Sequence, residues 1–178
     1  MRSALQAVEA APKLTFTATT WRHTAPGRPP LSGLGALRFG GRWNPPDSSP
    51  TIYLALTVEA CVAEFLRMAE GQGKGASSFL PRDLHEIEVH EMLVCDLRDT
   101  AALASVDLNA NDLADEDRSR CQAVGEAALL LGLDGLLAPS ATGTGDVLAV
   151  FDPPAHGEFT SVRTSSLDAY LAGPGGHA

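Results

Sequence analysis

The sequence predicts an α+β fold: a compact single domain of small mixed or antiparallel sheets with flanking helices. Three observations carry that reading. A chain of 178 residues, 44% of them hydrophobic, is long and apolar enough to bury one substantial core. Its apolar runs are short and strand-like and are interrupted by two main helical patterns, so the regular strand and helix alternation of a doubly wound parallel sheet is missing. A Gly- and Pro-rich segment over residues 25–50 holds no core pattern of its own, and irregular stretches of that length inside a domain are usually functional. The domain is read as residues 14–172, between an N-terminal tail over 1–13 and a disordered C-terminal tail over 173–178.

Each element has its own signal. The alanine-rich start, ending Ala11-Pro12, reads as a tail or a short helix. Leu14, Phe16 and Ala18 then alternate with threonine and lysine, a strand running through Trp21. Residues 51–56, with Ile52 and Tyr53, form a short apolar run bounded by Pro50, the signature of a buried strand. In the helix that follows, Val58, Cys61, Val62, Phe65, Met68 and Ala69 recur at helical spacing and make the core face; Thr57 is placed to cap it and Glu59 suits its dipole. Glu64 falls off that stripe, about 100° from Phe65.

Residues 71–81 are a Gly/Ser-rich connection, and Ile87, Val89, Leu93, Val94 and Cys95 imply one or two strands before Asp96. Residues 103–118 are polar and acidic. A helix over 120–131 turns Cys121, Val124, Ala128 and Leu131 inward and stops at Gly132. Two short strands, 135–138 and 147–151, flank the Ser140-Ala141-Thr142-Gly143-Thr144-Gly145 connection, and 167–172 read as a last helical turn or two.

Charge and composition exclude several functions. A formal net charge of −9 opposes nucleic acid and anionic membranes, although a local basic cluster can still hold a phosphate. Cys61, Cys95 and Cys121 are odd in number and set among apolar residues, which gives neither a disulfide framework nor a metal-ligand spacing. No apolar run is long enough for a bilayer, the start lacks a secretory segment, and the expected location is the cytoplasm. His85 and His90 cluster with Glu86, Glu88 and Glu91, but strand alternation divides them between faces, so no metal site is expected. Gly143-Thr144-Gly145 lacks the context of a Rossmann fingerprint and no phosphate loop of the triphosphatase kind is present, which argues against hydride transfer and triphosphate hydrolysis.

The chemistry concentrates in Arg38-Phe39-Gly40-Gly41-Arg42-Trp43-Asn44-Pro45-Pro46. Glycines let a backbone approach a ligand, arginines hold anions in a bidentate way, and an indole offers a face to a flat ring. That set suits a dinucleotide; the alternative is a surface turn. Upstream stands Trp21-Arg22-His23, and downstream the Tyr53 strand leads to Glu64, with Gln122-Ala123-Val124-Gly125 and Ala138-Pro139-Ser140-Ala141 later. In this order of motifs, from Trp21 to Pro153, the chain resembles the RES-domain family, the toxin half of RES–Xre toxin–antitoxin pairs. The 121–125 and 38–46 stretches resemble the mycobacterial-type members most.

The resemblance implies a fold related to the ADP-ribosyltransferases, in which two small sheets form a cleft for NAD. It implies a type II toxin that cleaves the nicotinamide–ribose bond, with NAD consumed as substrate and no bound cofactor. The acceptor stays open between water, inorganic phosphate and a protein side chain; the other reading is a non-catalytic nucleotide-binding module. Arg22 matches the family's first functional arginine, expected at the diphosphate or a ribose. Glu64 matches its key glutamate, which would stabilise positive charge on the ribose. Two serines compete for the third role: Ser119, at a helix start suited to a phosphate or to plain capping, ranks first, and Ser140 is kept as a pocket or structural residue. His23, Arg38, Arg42, Trp43 and Tyr53 are the expected NAD-binding residues, Trp43 serving equally as a peg to the core and Tyr53 as a core tyrosine with a satisfied hydroxyl. The implied partner is an Xre-like antitoxin with a DNA-binding helix-turn-helix, covering the cleft mouth near residues 38–43, with a possible homo-oligomer in the complex.

Overall fold

The structure, a computed structural model, describes residues 3–172, so the tail expected over 173–178 lies outside the described residues. The first helix, α1 (Ala4–Ala10), is closed by a capping box between Ser3 and Gln6 and buries Ala7 and Val8. Residues 4–10 are therefore a packed helix that contributes to the main core rather than a loose tail. Strand β1 (Lys13–Thr24) follows and pairs antiparallel with β3 (Asp83–Asp96) from Lys13↔Cys95 to Thr24↔Asp83. This long partner carries β1 past Trp21, so Arg22 and His23 stand inside the strand, not after it.

The 25–50 segment contains one short helix, α2 (Leu34–Phe39), with no buried residue, which is why it left no periodic signal. Strand β2 (Thr51–Ala55) leads into α3 (Val58–Gly71), where the Thr57 hydroxyl accepts from the Ala60 amide as the sequence implies. Strand β3 is one continuous strand; Glu91, at φ 53°, marks a bulge where its amide donates to Thr17 Oγ1. The acidic segment folds into α4 (Thr100–Ser105) and α5 (Ala110–Ala114), each capped by a side chain, Asp99 and Asn109. Then come α6 (Ser119–Leu130), β4 (Gly135–Pro139), β5 (Asp146–Phe151), β6 (Glu158–Ser166) and α7 (Leu167–Leu171).

The strands form a mixed six-stranded sheet in the order β1-β2-β5-β4-β3-β6, and the extra β1–β3 pairing closes five of them into a ring. Two antiparallel halves, β6-β3-β1 and β2-β5-β4, meet at two narrow seams: Trp21↔Ala55, and a parallel contact from Val94↔Gly135 to Asp96↔Leu137. The two small sheets implied by resemblance are thus joined, and the ring interior is filled by Ile52, Leu54, Ile87, Val89 and Leu148. At the β3–β4 seam, buried Asp134 accepts backbone amides from Leu93, Ala155, His156 and Gly157. Burial opposes its charge, yet those amides outweigh it and hold the carboxyl below the usual aspartate value.

Candidate active site

Beside the Trp21↔Ala55 seam the chain opens a cleft of about 1130 Å³. Its walls come from the end of β1, from β2, from one side of α3, from residues 40–43, from the segment between α5 and α6, and from the end of β4. At the centre is Glu64. Phe65 beside it is fully buried, which fixes the rotation of α3 and turns the Glu64 carboxylate into the cleft. Ser140, at the end of β4, is buried and donates to Glu64 Oε1 at 2.7 Å. Its oxygen also accepts from the Thr142 amide at 3.0 Å and meets Thr142 Oγ1 at 2.6 Å. With the Ser140 proton given to the carboxylate, the Thr142 hydroxyl must donate to Ser140.

Ser119 does not take part. It is exposed on the first turn of α6, its amide donates to Asp117 Oδ1 at 2.9 Å, and the N-cap position belongs to Arg118. It lies outside the cleft lining, and the serine facing Glu64 is Ser140. Chain geometry separates the two: β4 ends at the cleft, whereas Ser119 and Arg120 at the start of α6 are exposed.

Arg22 lines the cleft and donates to the carbonyls of Pro30 and Ser32 at 2.6 and 2.9 Å. It therefore ties the 25–33 loop to the cleft wall, and burial lowers its pKa. Among the described residues it has no carboxylate partner. His23 Nδ1 accepts from Arg82 Nε at 2.9 Å, and its ring meets Phe65 edge-on. Burial, with the Arg82 and Arg22 charges, pushes His23 down to about 3, so it is a neutral imidazole whose proton sits on Nε2.

The Gly-rich loop is held from below. Tyr53 Oη accepts the Trp43 amide at 2.9 Å and donates to Asn44 Oδ1 at 2.8 Å. A Cβ on Gly41 would lie 2.3 Å from that hydroxyl, so the approach requires glycine. Burial pushes the Tyr53 phenol well up, and its hydroxyl is satisfied while its ring lines the cleft. Trp43 is buried in the main core and pegs the loop. Arg42 lines the cleft and donates to the Asp115 carbonyl at 2.6 Å. Arg38 is not in the cleft; it is exposed on α2 and lies over Phe39.

Residues 19–170 match the RES domain family. The chain belongs to that family. Relatives named NAD(+) phosphorylase MbcT, from Mycobacterium bovis and Mycobacterium tuberculosis, are 40% identical over 150 residues, 83% of this chain and 81% of theirs. The crystal structure of the M. tuberculosis MbcT–MbcA toxin–antitoxin complex matches with a TM-score of 0.85 at 35% identity, over 94% of this chain and 93% of that one.

In this RES domain the two stretches that carried the resemblance are docked against each other. Gln122 of α6 donates to the carbonyls of Gly41 and Asn44 at 3.0 and 3.3 Å. A Cβ on Gly125 would sit 1.7 Å from the Trp43 carbonyl oxygen. The Gln-x-x-Gly spacing thus seats the cleft loop on one turn of helix. Sequence reasoning missed Arg67, Arg118 and Thr142. Arg67 was readable, being one turn after Glu64 and so on the same side of α3; Arg118 and Thr142 lie in connections with no periodicity to place them. His85 is a core residue bonded to Thr24 and Thr164, and Glu86 faces Arg163, so the histidine and glutamate cluster is divided as the alternation implies.

Proposed function

We propose that this protein is the toxin of a type II toxin–antitoxin pair and destroys NAD by cleaving its nicotinamide–ribose bond, with inorganic phosphate as acceptor. The observation that carries it is the Glu64 carboxylate, held by Ser140 and aimed into a cleft whose wall also presents Arg22, which has no carboxylate partner among the described residues. The 40% identity to relatives named NAD(+) phosphorylase supports the choice of substrate and acceptor.

When the bond breaks, its electron pair passes to the nicotinamide ring nitrogen, which becomes neutral, and positive charge is left on the ribose. Glu64 stabilises that charge, most strongly in the transition state. Ser140 restricts the carboxylate to one orientation, so little reorganisation is needed when the charge develops. A phosphate oxygen then bonds to the ribose carbon and ADP-ribose 1-phosphate leaves with nicotinamide. NAD is substrate here, and the chain's own side chains supply the chemistry without a bound cofactor.

Such an enzyme acts in the cytoplasm that it depletes, so it needs a partner to silence it. The crystal structure of a toxin–antitoxin complex at 35% identity supports an antitoxin, here an Xre-like helix-turn-helix protein. Leu34 and Phe39 are 66% and 72% exposed on α2, at the mouth where residues 40–43 begin, and suit that contact. The test is incubation of purified protein with NAD, with and without phosphate, followed by chromatography. Free nicotinamide with a phosphate-dependent sugar phosphate is expected; no nicotinamide under either condition would sink the proposal.

A further inference from the structure

The cleft has a second cationic group besides Arg22, and of its three members only Arg42 has a role above, as an expected NAD-binding residue. Arg42 comes from the Gly-rich loop, Arg67 from α3, and Arg118 from the residue before α6, and all three line the cleft. The end of α5 draws two of them together: the Asp115 carbonyl accepts from Arg42 at 2.6 Å, and the neighbouring Ala114 carbonyl accepts from Arg67 at 3.1 Å. The carbonyls at a helix C-terminus carry partial negative charge, which orients guanidiniums without neutralising them. Burial lowers the Arg42 pKa, and the charges of Arg118 and Arg67 act in the same direction. Glu70, Asp115 and Glu116 also line this end, yet among the described residues no carboxylate pairs with any of the three arginines. On a chain of net charge −9, such a concentration of unpaired guanidinium is not a solvated surface average.

The position along α3 gives the pole its meaning. Arg22 lines the cleft with Cys61, one turn before Glu64, and Arg67 is one turn after it, each step roughly 4.5 Å along the axis. The reacting carboxylate is therefore flanked by two cationic poles, and a phosphorolysis brings two phosphate-bearing reactants to one carbon. We propose that Arg42, Arg67 and Arg118 form a phosphate-binding subsite separate from Arg22. The inference rests on the phosphorylase reading for its role, though the anion site itself does not. The phosphate can come from the dinucleotide's own diphosphate or from free inorganic phosphate, and the two sources give different kinetics.

The test uses the full chain and the variants Arg67→Gln, Arg118→Gln and the double variant, with folding checked by circular dichroism. Calorimetric titrations with inorganic phosphate and inorganic pyrophosphate are run beside KM measurements for NAD and for phosphate. Loss of one charge-assisted contact is expected to weaken anion binding roughly tenfold per arginine. A rise in the KM for phosphate with that for NAD unchanged assigns the subsite to the acceptor; the reverse, with pyrophosphate binding lost, assigns it to the diphosphate. If the folded double variant keeps both KM values and both anion affinities, the subsite is refuted even though NAD is still consumed. If pyrophosphate binding is lost in the double variant while the parent cleaves no NAD, the subsite stands and the phosphorylase reading falls.

Discussion

Ser140→Ala separates the two serines that the sequence left in competition. The change removes the 2.7 Å donor to Glu64 Oε1 and the acceptor of the Thr142 amide, at a site 5% exposed where water replaces neither readily. A hydrogen bond to a charged group contributes about 1.5–3 kcal/mol, so losing this one costs a factor of roughly 10 to 150 if it acts in the transition state. The expectation is a kcat reduced by about 10- to 100-fold with the KM for NAD nearly unchanged, because Ser140 orients the carboxylate rather than gripping the substrate. Ser119→Ala, at an exposed position outside the cleft, should leave both constants within about twofold. Nicotinamide release from the two purified variants, each checked for folding, decides the matter. Full kcat in Ser140→Ala, or an equal loss in Ser119→Ala, refutes the reasoning.

Glu64→Gln should keep NAD binding and lower kcat by about 10²- to 10³-fold, the usual effect of removing one electrostatic stabiliser; near-normal turnover in folded protein ends the role assigned to it. His23, held neutral at a pKa of about 3, should contribute no step to the pH dependence of kcat/KM between pH 5 and 8, and a step there that His23→Gln abolishes would contradict this. Gly125→Ala places a methyl group 1.7 Å from the Trp43 carbonyl oxygen and should cost about 3 kcal/mol or more by denaturant unfolding, since backbone must shift; an unchanged midpoint would show that α6 does not seat the loop. Asp134→Ala strands four amide bonds and should cost at least about 3 kcal/mol. Because the Asp134 pKa is depressed on folding, its contribution is complete above the unfolded value of about 3.9 and fades as pH falls through the lower folded value. The stability gap between parent and variant should therefore shrink only in that acid window, and a gap that closes near neutrality would overturn the assignment.

Where a segment's burial repeats along its own sequence, it was legible. The Phe65 stripe of α3, its Thr57 cap and the displacement of Glu64 from the stripe all follow from spacing, because one helix face meets the core and the other meets the cleft. Strand β6 was missed for the opposite reason: it is an edge strand whose residues are exposed or half-buried, with only Phe159 packed on the core, so no alternation of apolar residues marks it. The Thr and Val content between 158 and 166 was its only signal. Helices α4 and α5, six and five residues long, are each pinned by a cap and by two and one buried side chains respectively, too short for a period to emerge.

The site was harder to read because its residues are defined by contacts between distant segments. Tyr53, Gln122 and Gly125 each have an ordinary local explanation, in a strand or on a helix face. Only together do they account for the Gly40 to Asn44 loop, through one hydroxyl, one amide and one missing side chain aimed at the same five residues. Ser140 is the same case: nothing in a Pro-Ser pair at a strand end states that a glutamate lies 2.7 Å away, 76 residues earlier in the chain. The arginines sharpen the point. Arg38 and Arg42 look alike in sequence, flanking Gly40 and Gly41, yet the exposed turn of α2 carries Arg38 outward while the end of α5 draws Arg42 into the cleft. Guanidinium chemistry was predictable from composition; which guanidiniums face the cleft depends on helix ends elsewhere in the chain, and only the assembled fold supplies them.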